Sequence, residues 1–281
     1  MKNCSVVITV KPSSGNLIEQ AQELAARLRL PMEPSEYSLI QHEQPTKQHR
    51  LLLRVSNNGL KLIRADAPKL SGAVQVDFTA GRVAFRRKQQ KKELLLRAVE
   101  GKGSASLNII DATGGLGRDS FLLAAGGHNM HIFERQPVVA ALLANGLERA
   151  AFHPETAEIC TRIRLTVGDA VPALEALQKN GADRGGEVVD VVYLDPMFPE
   201  RRKSALVKKE LQMLQLLAES NPAQEQLLET ALQVASQRVV VKRPLKAAFL
   251  TEHAPSHSLT GKTVRFDVYL PVPINTPINT G

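Results

Sequence analysis

Apolar positions repeat at different periods along the chain, and the change of period divides it. Over the first hundred residues the runs are short. Residues 5–10 read as a strand, and Leu17, Ala21, Leu24 and Leu28 recur at helical spacing with Asn16 placed to cap that helix. The apolar runs 51–55 and 60–63 flank Asn58-Gly59, a pair that closes a two-residue hairpin because both positions accept positive φ. A second hairpin is expected where 74–78 returns as 82–85 around Thr79-Ala80-Gly81.

From residue 107 the pattern becomes strand, turn, helix, repeated. Buried strands are expected at 107–110, 131–133, 163–167, 188–194 and 238–241, and helices at 121–125, 138–151, 206–217 and 227–235. A closing antiparallel hairpin, 258–260 with 264–270, turns at Gly261-Lys262. Alternating strands and helices imply a parallel sheet covered on both faces, with any ligand outside the carboxyl ends of its strands.

Composition narrows the options. The chain has 281 residues, 43% hydrophobic and 23% charged, which is globular and excludes wholesale disorder. Two cysteines far apart, Cys4 and Cys160, exclude a disulfide framework, and no Cys/His spacing suggests a metal site. With no Trp, three Tyr and eight Phe, an aromatic stacking platform is poorly supported. No run approaches the ~20 apolar residues of a membrane span, and the first residues do not read as a signal peptide, so a cytoplasmic protein is expected. Lys plus Arg number 36 against 28 Asp plus Glu, a formal charge of +8. An excess of that size suits a polyanionic partner.

Acids follow four successive strands: Asp111, Glu134, Asp169 and Asp195. The first end reads Asp111-Ala112-Thr113-Gly114-Gly115-Leu116-Gly117-Arg118-Asp119, nearly a dinucleotide fingerprint. Yet Asp119 stands in the turn that would receive a diphosphate, and a carboxylate there suits a cationic ligand such as S-adenosylmethionine; the alternative is that Asp119 caps the next helix. Glu134, 23 residues after Asp111, is placed for ribose hydroxyls, or is a surface acid. Asp169 is placed for an adenine amine with the small Ala170 beside the ring, or is an N-cap. The fourth end, Tyr193-Leu194-Asp195-Pro196-Met197-Phe198-Pro199, fixes an extended turn with two acceptors, the Asp195 carboxylate and the Pro196 carbonyl, and with Phe198 to stack on a base. Two acceptors on the N–H groups of a nucleobase amine favour a pyramidal nitrogen able to attack a methyl group. The other reading of these prolines is a plain strand-ending turn.

These residues, with Lys203-Ser204-Ala205-Leu206-Val207-Lys208-Lys209-Glu210 and Val239-Val240-Val241-Lys242-Arg243-Pro244, resemble the bacterial ribosomal RNA small subunit methyltransferase J family. The similarity runs from about Leu60 to Tyr269 and includes Arg86-Arg87-Lys88. It implies an α/β class I S-adenosylmethionine-dependent methyltransferase fold, Rossmann-like, with a seven-stranded sheet ending in an antiparallel hairpin, and a smaller mixed α/β N-terminal module. It also implies methylation of the N2 amine of guanine 1516 in 16S ribosomal RNA. Carried across, the cofactor positions are Arg118, Asp119, Glu134, Arg135, Asp169, Ala170 and Asp195; the catalytic candidates, read from the turn after the fourth strand, are Asp195, Pro196 and Phe198. Where the family carries a glycine-rich run after Arg-Arg-Lys, this chain has Gln89-Gln90-Lys91-Lys92.

The expected division is an N-terminal module over 1–90 with an RNA-orienting role, a methyltransferase domain over 91–272 and a flexible tail over 273–281. Basic clusters at Arg86, Arg87 and Lys88, at Arg201, Arg202 and Lys203, and at Lys242 and Arg243 are candidates for phosphates of 16S RNA or of the 30S subunit. Three other readings stay open from the residues alone: an amino-methyltransferase for DNA adenine or cytosine, an NAD-binding oxidoreductase, and an RNA-binding assembly factor without activity.

Overall fold

Strands covered on both faces read as unbroken apolar runs, and Val191–Leu194 is one: all four residues are buried. The computed structural model of the protein describes residues 6–32, 49–65, 72–88, 93–103, 105–180, 188–196, 209–217 and 224–271. They fall into two compact units, one drawn from 1–77, 136–149 and 198–219, the other from 78–135, 150–197 and 220–281.

The first unit holds β1 (Val6–Pro12), α1 (Ile18–Leu28), β2 (His49–Ser56) and β3 (Gly59–Arg64). Its sheet runs β1-β2-β3, with β1 parallel and β3 antiparallel to β2. The Asn58-Gly59 hairpin forms as expected, with Gly59 at φ +99°. Asn16 does not cap α1: it lies in a 3-10 turn, Gly15–Leu17, where Ser14 Oγ donates to its Oδ1 at 2.5 Å. The second hairpin is absent. Val74 instead exchanges a single reciprocal pair of backbone bonds with Leu62, at 2.8 and 2.9 Å. Its supposed return strand is a helix in the other unit, because Ala84, Arg86, Arg87 and Lys88 favour helix and the segment has no two-residue alternation.

That helix is α2 (Gly81–Lys88), followed by α3 (Leu94–Glu100), β4 (Asn108–Asp111), α4 (Arg118–Ala125) and β5 (Asn129–Glu134). Next come α5 (Pro137–Ala151), α6 (Ala157–Cys160), β6 (Ile163–Val167), α7 (Ala170–Asn180), β7 (Val191–Leu194) and α8 (Lys209–Leu217). The order closes with α9 (Gln224–Val234), β8 (Arg238–Pro244), β9 (His257–Thr260) and β10 (Val264–Tyr269). Within the first unit, α5 anchors the hairpin: Asn145 Oδ1 accepts the Leu60 N–H at 2.9 Å, and Arg149 donates to the Val76 carbonyl.

The second unit is built on a seven-stranded sheet of order β6-β5-β4-β7-β8-β10-β9. The five strands from β6 to β8 are parallel, and β10 is antiparallel to both β8 and β9. The chain winds outward from β4 toward β5 and from β7 toward β8. Right-handed crossovers therefore put α4 and α9 on opposite faces, and the reversal between β4 and β7 opens a crevice at their carboxyl ends. Ile109, Ile132, Val192 and Val239 are buried at the centre, and Phe78 stacks on Phe121 with ring centroids 4.2 Å apart. Among the described residues no helix is long and apolar enough to cross a membrane.

Candidate active site

The carboxyl ends of β4, β5, β7 and β8 bring their polar residues together in the second unit. Register does much of this. Leu194 pairs with Val241 in the parallel β7–β8 ladder, so the next positions, Asp195 and Lys242, are neighbours. The Lys242 ammonium donates to Asp195 Oδ2 at 2.7 Å and to Asp119 Oδ2 at 2.6 Å. Asp119, in the first turn of α4, also accepts from Arg86 Nη1 at 2.8 Å and from the Tyr193 hydroxyl at 2.9 Å. Arg86 in turn holds Glu93 at 3.0 Å. Thr113 ties the turn after β4 to the end of β7, its Oγ1 accepting the Asp195 N–H at 2.6 Å.

Burial alone would raise the Asp119 carboxyl, but Lys242 and Arg86 together outweigh it and hold Asp119 well below the usual carboxylate range. Lys242 is the mirror case: desolvation lowers it, and the two aspartates more than reverse that. Burial pushes Asp111 up to about 7, against hydrogen bonds from Ser120 and the Thr113 N–H. The Tyr193 hydroxyl is held far above its ordinary value by burial and then by Asp119, Asp195 and Asp111, so it stays a donor.

The expected cofactor residues lie on this rim in different ways. Glu134 ends β5 and its Oε2 accepts the Gly115 N–H at 2.6 Å, which fixes the carboxylate at the glycine turn. Arg118 and Arg135 are exposed. Asp169 is exposed and caps α7 through the Val171 N–H at 2.8 Å, while Ala170 is buried. Asp195 is half-buried, Pro196 is buried, and Phe198 lies outside the described residues, as do Arg201, Arg202 and Lys203. Of the other basic candidates, Arg87 is paired with Glu155, Lys88 ends α2, and Arg243 is 5% exposed with Nε on the Ala248 carbonyl at 3.0 Å. Lys242 and Arg86 face inward to carboxylates. Sequence reasoning missed Thr113 and Tyr193. Tyr193 carried a signal, since it stands two residues before Asp195 on the same face of β7.

The glycine turn packs closely against β5. A Cβ at Gly114 would lie 2.4 Å from Ile132 Cγ2, and Gly117 adopts φ +69° where it starts α4. The carboxylates of Glu134 and Asp195, at the ends of β5 and β7, form an acceptor-rich rim that fits hydroxyls and amines better than a diphosphate, while Asp111 at the end of β4 is buried behind it. Strand order, glycine turn and acid ring together define a class I S-adenosylmethionine-dependent methyltransferase.

A protein-family model described as "Putative SAM-dependent methyltransferase" matches residues 35–271. A protein of Thioalkalivibrio sulfidiphilus named ribosomal RNA small subunit methyltransferase J is 43% identical over 265 residues, 94% of this chain and 97% of that one. A protein of the same name from Aeromonas salmonicida is 49% identical over 214 residues, 75% of this chain and 82% of that one. The crystal structure of the SAM-dependent methyltransferase NGO1261 from Neisseria gonorrhoeae superposes with a TM-score of 0.68 at 32% identity, covering 97% of this chain and 100% of that one. The chain belongs to the ribosomal RNA small subunit methyltransferase J family. Its cofactor is S-adenosylmethionine, and the oxidoreductase reading falls away.

Proposed function

We propose that the protein methylates the exocyclic N2 amine of a guanine in small-subunit ribosomal RNA, guanine 1516 as the family resemblance implies, acting in the cytoplasm on 16S RNA or on the 30S subunit. One observation carries the reading: Asp195 leaves β7 with its N–H fixed by Thr113 and its Oδ2 fixed by Lys242. An acceptor so held needs little rearrangement when an N–H donor arrives.

When bound, the cofactor would supply an electrophilic methyl carried on a sulfonium, leaving as the neutral thioether, with the proton of the methylated amine released through the Asp195 end of the site to solvent. The chain's own residues do the rest. Glu134 holds the ribose hydroxyls, Asp169 and Ala170 border the adenine, and Asp119 with Arg118 and Arg135 lines the rest of the cofactor site. Asp195 and the Pro196 carbonyl accept the two N–H groups of the target amine, and Phe198 stacks on the extruded base. Residues 1–90 orient the RNA, while Lys88, Arg201, Arg202 and Lys203 meet its phosphates; Arg87, its guanidinium engaged by Glu155, is left out of that set.

The test is transfer of tritiated methyl from the cofactor to 30S subunits, to naked 16S RNA and to duplex DNA. Label on a guanine of the small-subunit RNA is expected, and Asp195→Ala should abolish it by about 100-fold or more while cofactor binding stays within a few-fold. Label on DNA alone would replace this reading with a DNA amino-methyltransferase, and binding of RNA without label would leave an assembly factor.

A further inference from the structure

Lys242 belongs, by sequence, to a basic cluster suited to phosphates, but its geometry gives it other work. Both carboxylates it touches are within 2.7 Å, and its side chain is 25% exposed. We infer that Lys242 is a positioning residue for methyl transfer: it clamps Asp195 Oδ2 so that the other carboxylate oxygen is presented to the target amine, and it holds Asp195 apart from Asp119 as an ionised acceptor. The inference rests on the reading of Asp195 as the acceptor for that amine.

The charge layout supports it. Asp195 is faced by Asp119 from α4, by Asp111 from β4, by the un-ionised Tyr193 hydroxyl from its own strand and by Lys242 from β8. Arg86 of α2 binds Asp119, and among the described residues Lys242 alone forms an ion pair with Asp195. Without the ammonium, two like charges would be left to share the site, and one of them would take up a proton. A protonated Asp195 would have one oxygen fewer to accept from the amine. An ammonium already spent on two carboxylates has little left for a phosphate, and the parallel register that places it there is fixed by the β7–β8 ladder and not by a mobile loop.

The experiment uses the full chain with 30S subunits and tritiated cofactor, comparing wild type with Lys242→Met, Lys242→Arg and Asp195→Ala. Turnover number, KM for RNA and the pH profile are read together. For Lys242→Met the turnover number should drop about 10- to 100-fold while KM for RNA stays within a few-fold. The acid limb of the profile should move up by about one unit, since an opposite charge at this distance is worth ~1–3 units. Lys242→Arg, which keeps the charge, should leave the limb in place. If Lys242→Met does not fold, Lys242→Gln keeps hydrogen-bond donors without the charge and reads the same limb. A rise in KM for RNA with turnover and limb unmoved would overturn the inference and return Lys242 to phosphate binding. If Asp195→Ala, which has no side-chain acceptor, turns over like wild type, the acceptor reading itself falls; if Asp195→Ala is inactive and the Lys242 variants are normal, only the role of Lys242 falls.

Discussion

Thr113 Oγ1 accepts the Asp195 N–H at 2.6 Å, so the turn that begins the cofactor side and the strand end that begins the substrate side are one hydrogen-bonded unit. Thr113→Val keeps the shape and leaves that N–H without its acceptor. A buried donor left unpaired costs ~1–3 kcal/mol, so a drop of a few degrees in Tm and roughly a tenfold loss of turnover are expected. Thermal melting and steady-state kinetics on one preparation check both.

Glu134 illustrates a different dependence. Its carboxylate is held by Gly115 and ends β5, where ribose hydroxyls are recognised in this fold. Glu134→Gln should weaken cofactor binding about tenfold, the size of one charge-assisted hydrogen bond, with turnover at saturating cofactor nearly unchanged. Calorimetric titration with the cofactor measures the first, and a Kd equal to that of wild type would take the ribose role from Glu134.

Stability should depend on pH in two separate windows. Asp111 titrates near 7 in the folded chain and at 3.8 when unmodified by structure, so between these values the folded state holds more protons than the unfolded one. Stability from this group is greatest at the acid end, falls as pH rises from about 4 to about 7, and is level above that. Asp119 is shifted the other way: the stability it contributes is present above 3.8 and is lost as pH falls below it. Asp111→Asn should flatten the upper window and leave the lower one, as read by urea denaturation at a series of pH values.

RNA affinity should weaken with salt. If about four phosphates are neutralised, log affinity falls against log salt with a slope of about −3. Replacing Arg201, Arg202 and Lys203 together by Ala should make the slope shallower by about 2, measured by filter binding. A triple variant with the wild-type slope would move the phosphate contacts elsewhere.

What could be read from the chain alone was local or periodic. Asn58-Gly59 carries its hairpin in two residues, and the strand–helix repeat puts Asp111, Glu134, Asp169 and Asp195 at strand ends whatever the details of packing. Residues 82–85 failed because their apolar content was taken for a strand when the helix propensity of the basic residues around them decides the matter. The inward turn of the cations was not legible either. Arg86 meets Asp119 across 33 positions and Lys242 meets it across 123, and β8 is buried on both faces, so its alternation gives no sign of which way Lys242 points.

The placement of β10 between β8 and β9 has a consequence for synthesis. Its six residues cover the outer edge of β8, so Val239, Val240 and Val241 present an open apolar ladder until the segment Val264–Tyr269 has been made. A nascent chain halted after Pro244 would own every strand end of the catalytic rim and still expose a sticky margin to its neighbours. The strand that closes this margin also pairs Phe266 with Lys242, so the edge and the catalytic rim are completed together, and late.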